Sequence, residues 1–180
     1  MPPPGYRAPR WVAHALPRDP VHVFDAPIFH PEKRTLAYSE PLLVPGAMAI
    51  PLRAAGLDAT VTYNLLVILG LALSAATMWR LVAGWTGDEA AGALAGLAYA
   101  FNAHLLTRFG HLQALHAECL PIVLYAIDHL ATRAKLRDGV TLGIGLALVG
   151  LTSVYQLAFA AGATVATSVV EAAGPRPAPP

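Results

Sequence analysis

Charged side chains are scarce in this 180-residue chain, in which Asp, Glu, Lys and Arg make up 13% and hydrophobic residues 56%. An ordinary soluble domain has about 25% charged residues. This scarcity and the mean hydropathy of +0.52 favour a membrane protein. Positive charge is not in excess either, since 12 Lys and Arg stand against 11 Asp and Glu. Without a basic stripe or tail, no nucleic-acid partner is expected.

The chain contains one cysteine and no recognisable phosphate-binding loop motif. Cys119 is the single cysteine, so an internal disulfide is excluded. No CxxC or Cys/His pattern surrounds it, and it is predicted to be a small buried side chain. Neither a P-loop nor a GxGxxG after a strand occurs. The glycines of residues 143–150 lie in an apolar run and are predicted to serve helix packing.

Long uncharged runs dominate what is present. Residues 59–79 carry no charge and, at ~1.5 Å per residue, can cross a ~30 Å hydrocarbon core. The runs predict an all-α fold, a polytopic membrane helix bundle with a large amino-terminal extramembrane loop that contains short helices. The predicted spans are residues 59–80, 89–106, 112–131, 139–153 and 155–171, which together form a transmembrane region over residues 59–171.

Two details of these runs concern helix packing and helix length. Gly92 and Gly96 form a small-xxx-small pair that would let another helix approach closely.

Residues 139–170 would be ~48 Å long as one straight helix, which exceeds the hydrocarbon thickness. A break is therefore expected near Ser153, where "LTSVYQL" is the polar centre of the run, leaving two short helices or a re-entrant pair.

Residues 1–58 are rich in proline and aromatic residues and lack a long apolar run. They are predicted to form a loop with short helices. Residues 41–56 are too short and too interrupted by proline for a span, so they are predicted to be an interfacial helix leading into the membrane. The tail, residues 172–180, is predicted to be disordered.

The densest short cluster of positive charge predicts the orientation. Arg133, Lys135 and Arg137 lie between two apolar runs and are expected in the cytoplasm. Residues 1–58 and the turn at residues 104–111 would then share the extracytoplasmic face of the cell membrane. An extracytoplasmic location would require a signal peptide or an earlier transmembrane helix, and residues 1–20 show no apolar h-region. Either the chain is a fragment of a longer multi-pass protein, or the orientation is inverted.

Four stretches carry a pattern of short blocks: "WVAHALPRDPVHVFDAPIFHPEKRTLAYSEPLLVPGAMAIPLRAAGL", "TYNLLVILGLALSAATMWRL", "GLAYAFNAH" and "RFGHLQALHAECLPIVLYAIDHL". The blocks are a DP step, an IF-x-P step, TLAYSE, a YNL-led helix, an AF-N step and an HLQ step. In this order, from residue 11 to about residue 156, they resemble the amino-terminal third of bacterial multi-spanning GT-C glycosyltransferases.

The resemblance implies sugar transfer from a polyprenyl-phosphate-linked donor to an acceptor at the outer face, with an essential carboxylate in the first external loop. The first transmembrane helix of that family and the start of its loop, where the family usually carries its leading Asp, have no counterpart here. The missing helices would belong to a longer chain or to a partner subunit, and this chain alone is not expected to be a complete enzyme.

Breaking a glycosyl-phosphate bond requires a base for the acceptor proton and positive charge for the departing phosphate. Asp19, Asp25 and Glu40 are the candidate catalytic carboxylates, as base or as metal ligand. Their structural alternatives include an Asp-Pro turn for Asp19 and a favourable helix dipole for Glu40, near a helix predicted to begin at Pro41. His30, with His22, could help these carboxylates bind a divalent ion such as Mg or Mn, although the spacing fits no ligand signature.

The candidate substrate-binding residues lie in and after the turn at residues 104–111. They include Arg108, His111 and Gln113, and in this turn a cation could bind a lipid phosphate. The structural alternative is an arginine that only reaches lipid headgroups near a helix end. Glu118 is ionisable at membrane depth, and a helix through it would put His111 on the same face. It could equally be a hydrogen-bonded packing residue. Tyr155 marks the predicted break and is expected to line the same cavity.

Two other interpretations remain open. One is a non-catalytic polytopic membrane protein, either a transporter fragment or an assembly partner whose outer loop binds a polymer. The other is a soluble α-helical protein with a very apolar interior.

Overall fold

The computed structural model describes residues 6–38 and 40–173, with the side chains of residues 171 and 172 excepted, and every regular element in these ranges is helical. The all-α prediction is confirmed for this part of the chain. The α-helices are α1 (Arg7–Ala15), α2 (Leu43–Ala54), α3 (Ala59–Thr86), α4 (Glu89–Ala100), α5 (Ala103–Leu106), α6 (Leu112–Leu115), α7 (Cys119–Arg133), α8 (Leu136–Thr152) and α9 (Val154–Ala173). Short 3-10 helices occupy Pro20–His22 and Thr35–Tyr38.

Helices α3 and α4 form a hairpin whose ends are set by capping residues. The Asp58 carboxylate accepts the backbone N–H groups of Thr60 and Val61, which starts α3. Gly87 ends it with a φ of +70°, a conformation that costs glycine little. The Asp88 carboxylate then caps the first turn of α4.

Close packing within this hairpin depends on two glycines. A Cβ atom added to Gly96 would lie 2.5 Å from the carbonyl oxygen of Ala75, and one added to Gly92 would lie 2.8 Å from that of Trp79. Any side chain there would separate the helices. The prediction that Gly92 and Gly96 permit close approach is therefore confirmed.

Within the described residues, one helix is long and apolar enough to cross a membrane, namely α3 with 28 residues. Only 28% of its most apolar 18-residue stretch is buried, which is unusual for the core helix of a soluble protein. Helix α2 and residues 154–170 of α9 are apolar but shorter. The multi-pass arrangement therefore stays a prediction.

Three predicted segment boundaries differ from the structure. Helix α3 continues past residue 80 to Thr86. The segment 89–106 is divided because α4 ends at Ala100 and Asn102 starts α5, accepting the backbone N–H of Leu105 at 3.0 Å. The segment 112–131 is divided into α6 and α7, because residues 116–118 leave the helix. Short elements therefore replace two of the continuous predicted helices.

The predicted break near Ser153 is confirmed. Helix α8 ends at Thr152 and α9 begins at Val154, with Ser153 in an extended conformation between them. The Ser153 hydroxyl accepts the backbone N–H of Gln156 at 3.2 Å and so caps α9. The prediction of a disordered tail from residue 172 is wrong for Ala172 and Ala173, which belong to α9. The rest of the tail lies outside the described residues.

Short helices within residues 1–58 are confirmed, since α1, two 3-10 helices and α2 all form there. Their apolar side chains make two clusters. The first consists of Val12, Ala15, Val23, Ala26 and Leu36. The second consists of Tyr6, Ala13, Leu42, Ala49, Tyr63, Leu66 and Leu112, and it joins α1 and α2 to α3 and α6. The amino-terminal segment thus packs on the beginning of α3.

Candidate functional site

Asp19 begins the 3-10 helix at Pro20–His22 and is exposed. The Nδ1 atom of His22 lies 3.0 Å and 2.9 Å from its two carboxylate oxygens. Because an ionised carboxylate only accepts hydrogen bonds, Nδ1 is the donor in this pair. In a neutral imidazole, the other ring nitrogen, Nε2, is then free to accept a hydrogen bond. The sequence suggested that His22 could assist the carboxylates, and in the structure Asp19 and His22 form a hydrogen-bonded pair at the surface.

Asp25 and His30 are in different surroundings. The Asp25 carboxylate accepts the backbone N–H of Arg34 at 2.9 Å and thereby closes the loop between them. His30 is exposed in this loop. In the part of the chain that the structure describes, no group of three or more His, Cys, Asp or Glu side chains could hold a metal ion. A Mg or Mn site stays a prediction that needs further oxygen ligands, for example from a substrate phosphate.

Glu40 is buried and holds the break between α8 and α9. One of its carboxylate oxygens accepts the Ser153 hydroxyl at 3.0 Å, and the other accepts the backbone N–H of Val154 at 2.8 Å. A carboxylate is favoured here because the first N–H groups of a helix lack partners within it. The predicted helix-dipole role is therefore assigned to the wrong helix: α2 begins at Leu43, but Glu40 caps α9.

The turn between α5 and α6 holds Arg108 and His111, both exposed. Gln113 follows in α6, and its backbone carbonyl accepts the Gln156 side-chain amide at 2.9 Å. Tyr155, in the first turn of α9, is 74% exposed and so does not line an enclosed cavity. The break is joined to α6 by Gln156 and to Glu40 by Ser153, and not by Tyr155.

Glu118 and His116 form a buried pair. The Nδ1 atom of His116 lies 3.0 Å from a Glu118 carboxylate oxygen, and its Nε2 atom lies 3.0 Å from the carbonyl oxygen of Leu66. Because a carbonyl only accepts, Nε2 must carry a proton. The second contact then needs another proton, on Nδ1 or on Glu118. The other Glu118 oxygen is buried without a hydrogen-bond partner in the structure.

The predicted pairing of His111 with Glu118 on one helical face is wrong. Helix α6 ends at Leu115 and α7 begins at Cys119, so no helix passes through both residues. The partner of Glu118 is His116, which the spacing of helical residues did not single out. A short polar HxE sequence in an apolar run was the available signal. Cys119 is buried, as predicted.

The amino-terminal segment and the turn at residues 104–111 lie at the same end of the bundle. The Tyr63 hydroxyl, near the start of α3, donates to the carbonyl of Phe109 in the turn. The Tyr63 ring also meets the Tyr6 ring edge to face, with centroids 6.0 Å apart. At the other end of α3, the indole N–H of Trp85 donates to the Asp128 carboxylate in α7 at 3.3 Å.

The described residues thus define a class: an all-α chain with one helix able to cross a membrane and a packed amino-terminal segment at one end of it. In comparisons with known proteins, no family model, curated protein or solved structure matches this chain.

Proposed function

We propose that this chain is the amino-terminal part of a multi-spanning membrane glycosyltransferase. It would transfer a sugar from a polyprenyl-phosphate donor to an acceptor hydroxyl at the outer membrane face, with inversion at the anomeric carbon. The rest of the helix bundle would come from a longer chain or from a partner subunit. The reaction rests on the pattern of sequence blocks, and the following contacts support it.

The outward faces of several helices support a multi-pass membrane location. Large apolar side chains are more than half exposed on α4 (Leu94), α8 (Ile144) and α9 (Phe159 and Val165). Apolar surface of this extent on a soluble monomer is rare and marks an interaction with lipid or protein. Lipid is favoured here, because the same faces are almost free of charged residues.

The observation that carries the proposal is that the amino-terminal segment, which contains Asp19, and the turn that contains Arg108 lie at one end of the bundle. Tyr63 joins them through its bond to Phe109 and its ring contact with Tyr6. A lipid-linked donor presents its phosphate at the membrane surface, so a base and a cation are both needed at that level. The Asp19–His22 pair and Arg108 are the corresponding groups.

Asp19 is the favoured base among the three predicted carboxylates, because Glu40 and Asp25 already accept structural hydrogen bonds. In the proposed step the acceptor hydroxyl attacks the anomeric carbon opposite the phosphate. The hydroxyl proton passes to the pair of Asp19 and His22. The bond between that carbon and the phosphate oxygen breaks, and its electron pair leaves with the phosphate, next to Arg108 and His111.

Asp19→Asn in the complete gene product tests the proposal, with Asp88→Asn as the matched control. Loss of a general base lowers transfer by about 10²–10⁴-fold. Asp88 caps α4 at the other end of α3, and Asn is an equally good cap, so this control should transfer normally. Transfer from a radiolabelled polyprenyl-phosphate sugar is measured in isolated membranes at matched protein amounts. Full activity of the Asp19 variant would remove Asp19 as the base.

The alternative is a non-catalytic membrane module, a transporter fragment or an assembly partner. It is favoured by the structural use of both Glu40 and Asp25. Substituting Asp19 and Glu40 separately by alanine distinguishes the two functions. If transfer in membranes is equal with the wild-type chain, with both folded variants and without the chain, the enzyme hypothesis fails and the module is supported.

A further inference from the structure

A cleft of about 1130 Å³ lies between α1, α2 and the loop at residues 27–29. Four arginines line it: Arg7, Arg10, Arg18 and Arg53. Its lining contains no Asp or Glu. We call it the arginine cleft. Four guanidinium groups around one open space make a strong site for an anion, because each can donate two parallel hydrogen bonds to a phosphate.

The positive charge of the arginine cleft is not neutralised within the described residues. Their ion pairs involve His22 with Asp19, His116 with Glu118, and Arg137 with Asp138, and none includes a cleft arginine. Arg18 and Arg53 donate to backbone carbonyls of His14 and Leu57, which fixes their side chains. The charges of all four are therefore available to an outside anion.

The arginine cleft also has an apolar part. Trp11, Ile28, Phe29 and Ile50 belong to its lining. Trp11 is fixed by donating its indole N–H to the carbonyl of Val23 at 2.8 Å. Phe29 has a φ of +63° and is 69% exposed, so a bulky apolar ring is held outward in a disfavoured backbone conformation. A ligand that is only a small anion would leave this surface unused.

The position of the arginine cleft indicates where its ligand comes from. Helix α2 lines one wall and leads through residues 55–58 directly into α3, the helix that can cross a membrane. With α3 crossing a membrane, the cleft would lie beside the end of the span, at the level where headgroups meet the hydrocarbon. Arginine is enriched in such places because its stem packs on apolar groups while its charge reaches phosphate.

We infer that the arginine cleft binds the headgroup of an anionic phospholipid, with the arginines on its phosphate and Phe29 and Ile28 against the start of an acyl chain. This site is separate from the Arg108 turn and does not depend on glycosyl transfer. Its role is to hold the amino-terminal segment on the membrane surface at a fixed height beside α3.

Trp11 provides a direct measurement in a Trp79→Phe and Trp85→Phe background, which leaves it as the single tryptophan. The full chain in an uncharged detergent is titrated with dioctanoyl phosphatidylglycerol, dioctanoyl phosphatidylcholine or inorganic phosphate. We expect phosphatidylglycerol to change Trp11 emission with at least tenfold higher affinity than either other probe. Equal affinity for phosphatidylcholine would overturn the anionic preference. Equal affinity for inorganic phosphate would overturn the lipid as ligand.

Two double substitutions, each of which removes two arginine charges, complete the test. The double variant Arg7→Gln and Arg10→Gln should bind phosphatidylglycerol roughly thirty-fold more weakly, from the usual contribution of two basic residues at a lipid surface. Both side chains are exposed, so folding should be unchanged, and helical circular dichroism checks this. The control, Arg80→Gln and Arg133→Gln, removes the same charge elsewhere and should bind normally. Equal losses in both variants would show a non-specific charge effect and refute the site.

The apolar wall gives an independent variant. Phe29→Ser keeps all four arginines and should weaken phosphatidylglycerol binding several-fold while leaving any phosphate binding unchanged. If Phe29→Ser affects neither probe, the acyl chain does not contact this wall, and the lipid assignment fails.

Discussion

Replacing Glu40 by alanine should loosen the amino-terminal segment from the beginning of α9. Its carboxylate, buried at 7% exposure, accepts hydrogen bonds from Ser153 and Val154 across 113 and 114 residues of chain. Each bond to a charged group contributes about 1.5–3 kcal/mol. Glu40→Ala removes both bonds and leaves the buried Ser153 hydroxyl and the part-buried Val154 N–H without this partner. The free energy of unfolding is expected to fall by about 3 kcal/mol.

Glu40→Gln is the matched variant. Its amide oxygen can still accept the Val154 N–H, and its NH₂ group can donate to the Ser153 hydroxyl oxygen, which has a free lone pair. What is lost is the attraction of a full negative charge to the helix N-terminus, about 0.3–1 kcal/mol. The expected order of stability is therefore wild type, Gln, then Ala.

Unfolding is followed by far-UV circular dichroism in a neutral detergent with a rising fraction of sodium dodecyl sulfate. Ser153→Ala and the double variant with Glu40→Ala complete a double-mutant cycle. Because these two side chains share a hydrogen bond, a coupling energy of about 1 kcal/mol is expected. Additive effects, or a Gln variant as unstable as the Ala variant, would show that the contact does not hold the break. Unchanged stability of Glu40→Ala with complete loss of transfer would instead make Glu40 a catalytic residue.

Two further predictions concern packing and topology. Gly70→Ala should lower the free energy of unfolding by about 1–3 kcal/mol, because the new Cβ would lie 2.8 Å from the Leu115 carbonyl oxygen. Gly84→Ala, with nothing within 4 Å of its Cβ, should be neutral or stabilising in the same denaturation assay. Cysteines introduced at residues 25 and 109 should react alike with an impermeant thiol reagent in intact cells, and one at residue 135 should be protected. Opposite labelling at residues 25 and 109 would refute the shared outer face.

Several features of the fold follow from local sequence. The uncharged run after Asp58 predicts α3, since a helix satisfies its own backbone hydrogen bonds and Asp58 supplies the cap. The excessive length of residues 139–170 and their polar centre predict the break at Ser153. Helix ends were predicted less well. Asn102 starts α5 by local capping and so divides a predicted helix, and a single polar residue in an apolar run gives little warning of this.

The candidate site was predictable only in part, because residue type and spacing show which chemistry is present but not what each group contacts. Asp19 and His22 are three residues apart, so their pairing is a local property. The spacing favoured His111 as the partner of Glu118, and only the end of α6 at Leu115 shows that the partner is His116. The arginine cleft combines α1, α2 and a loop from distant parts of the segment.

By itself, the sequence determined that the chain is helical, that residues 59–79 are apolar enough to cross a membrane, and where the long carboxyl-terminal run must break. These properties depend on composition and periodicity within one helix length. Only the tertiary structure decided that Glu40 caps α9 and that four arginines line one cleft. It also decided that Glu118 pairs with His116, whose other ring nitrogen contacts the Leu66 carbonyl oxygen. Most of these contacts join elements far apart in the chain, so they depend on how the helices pack, which composition and local periodicity do not specify.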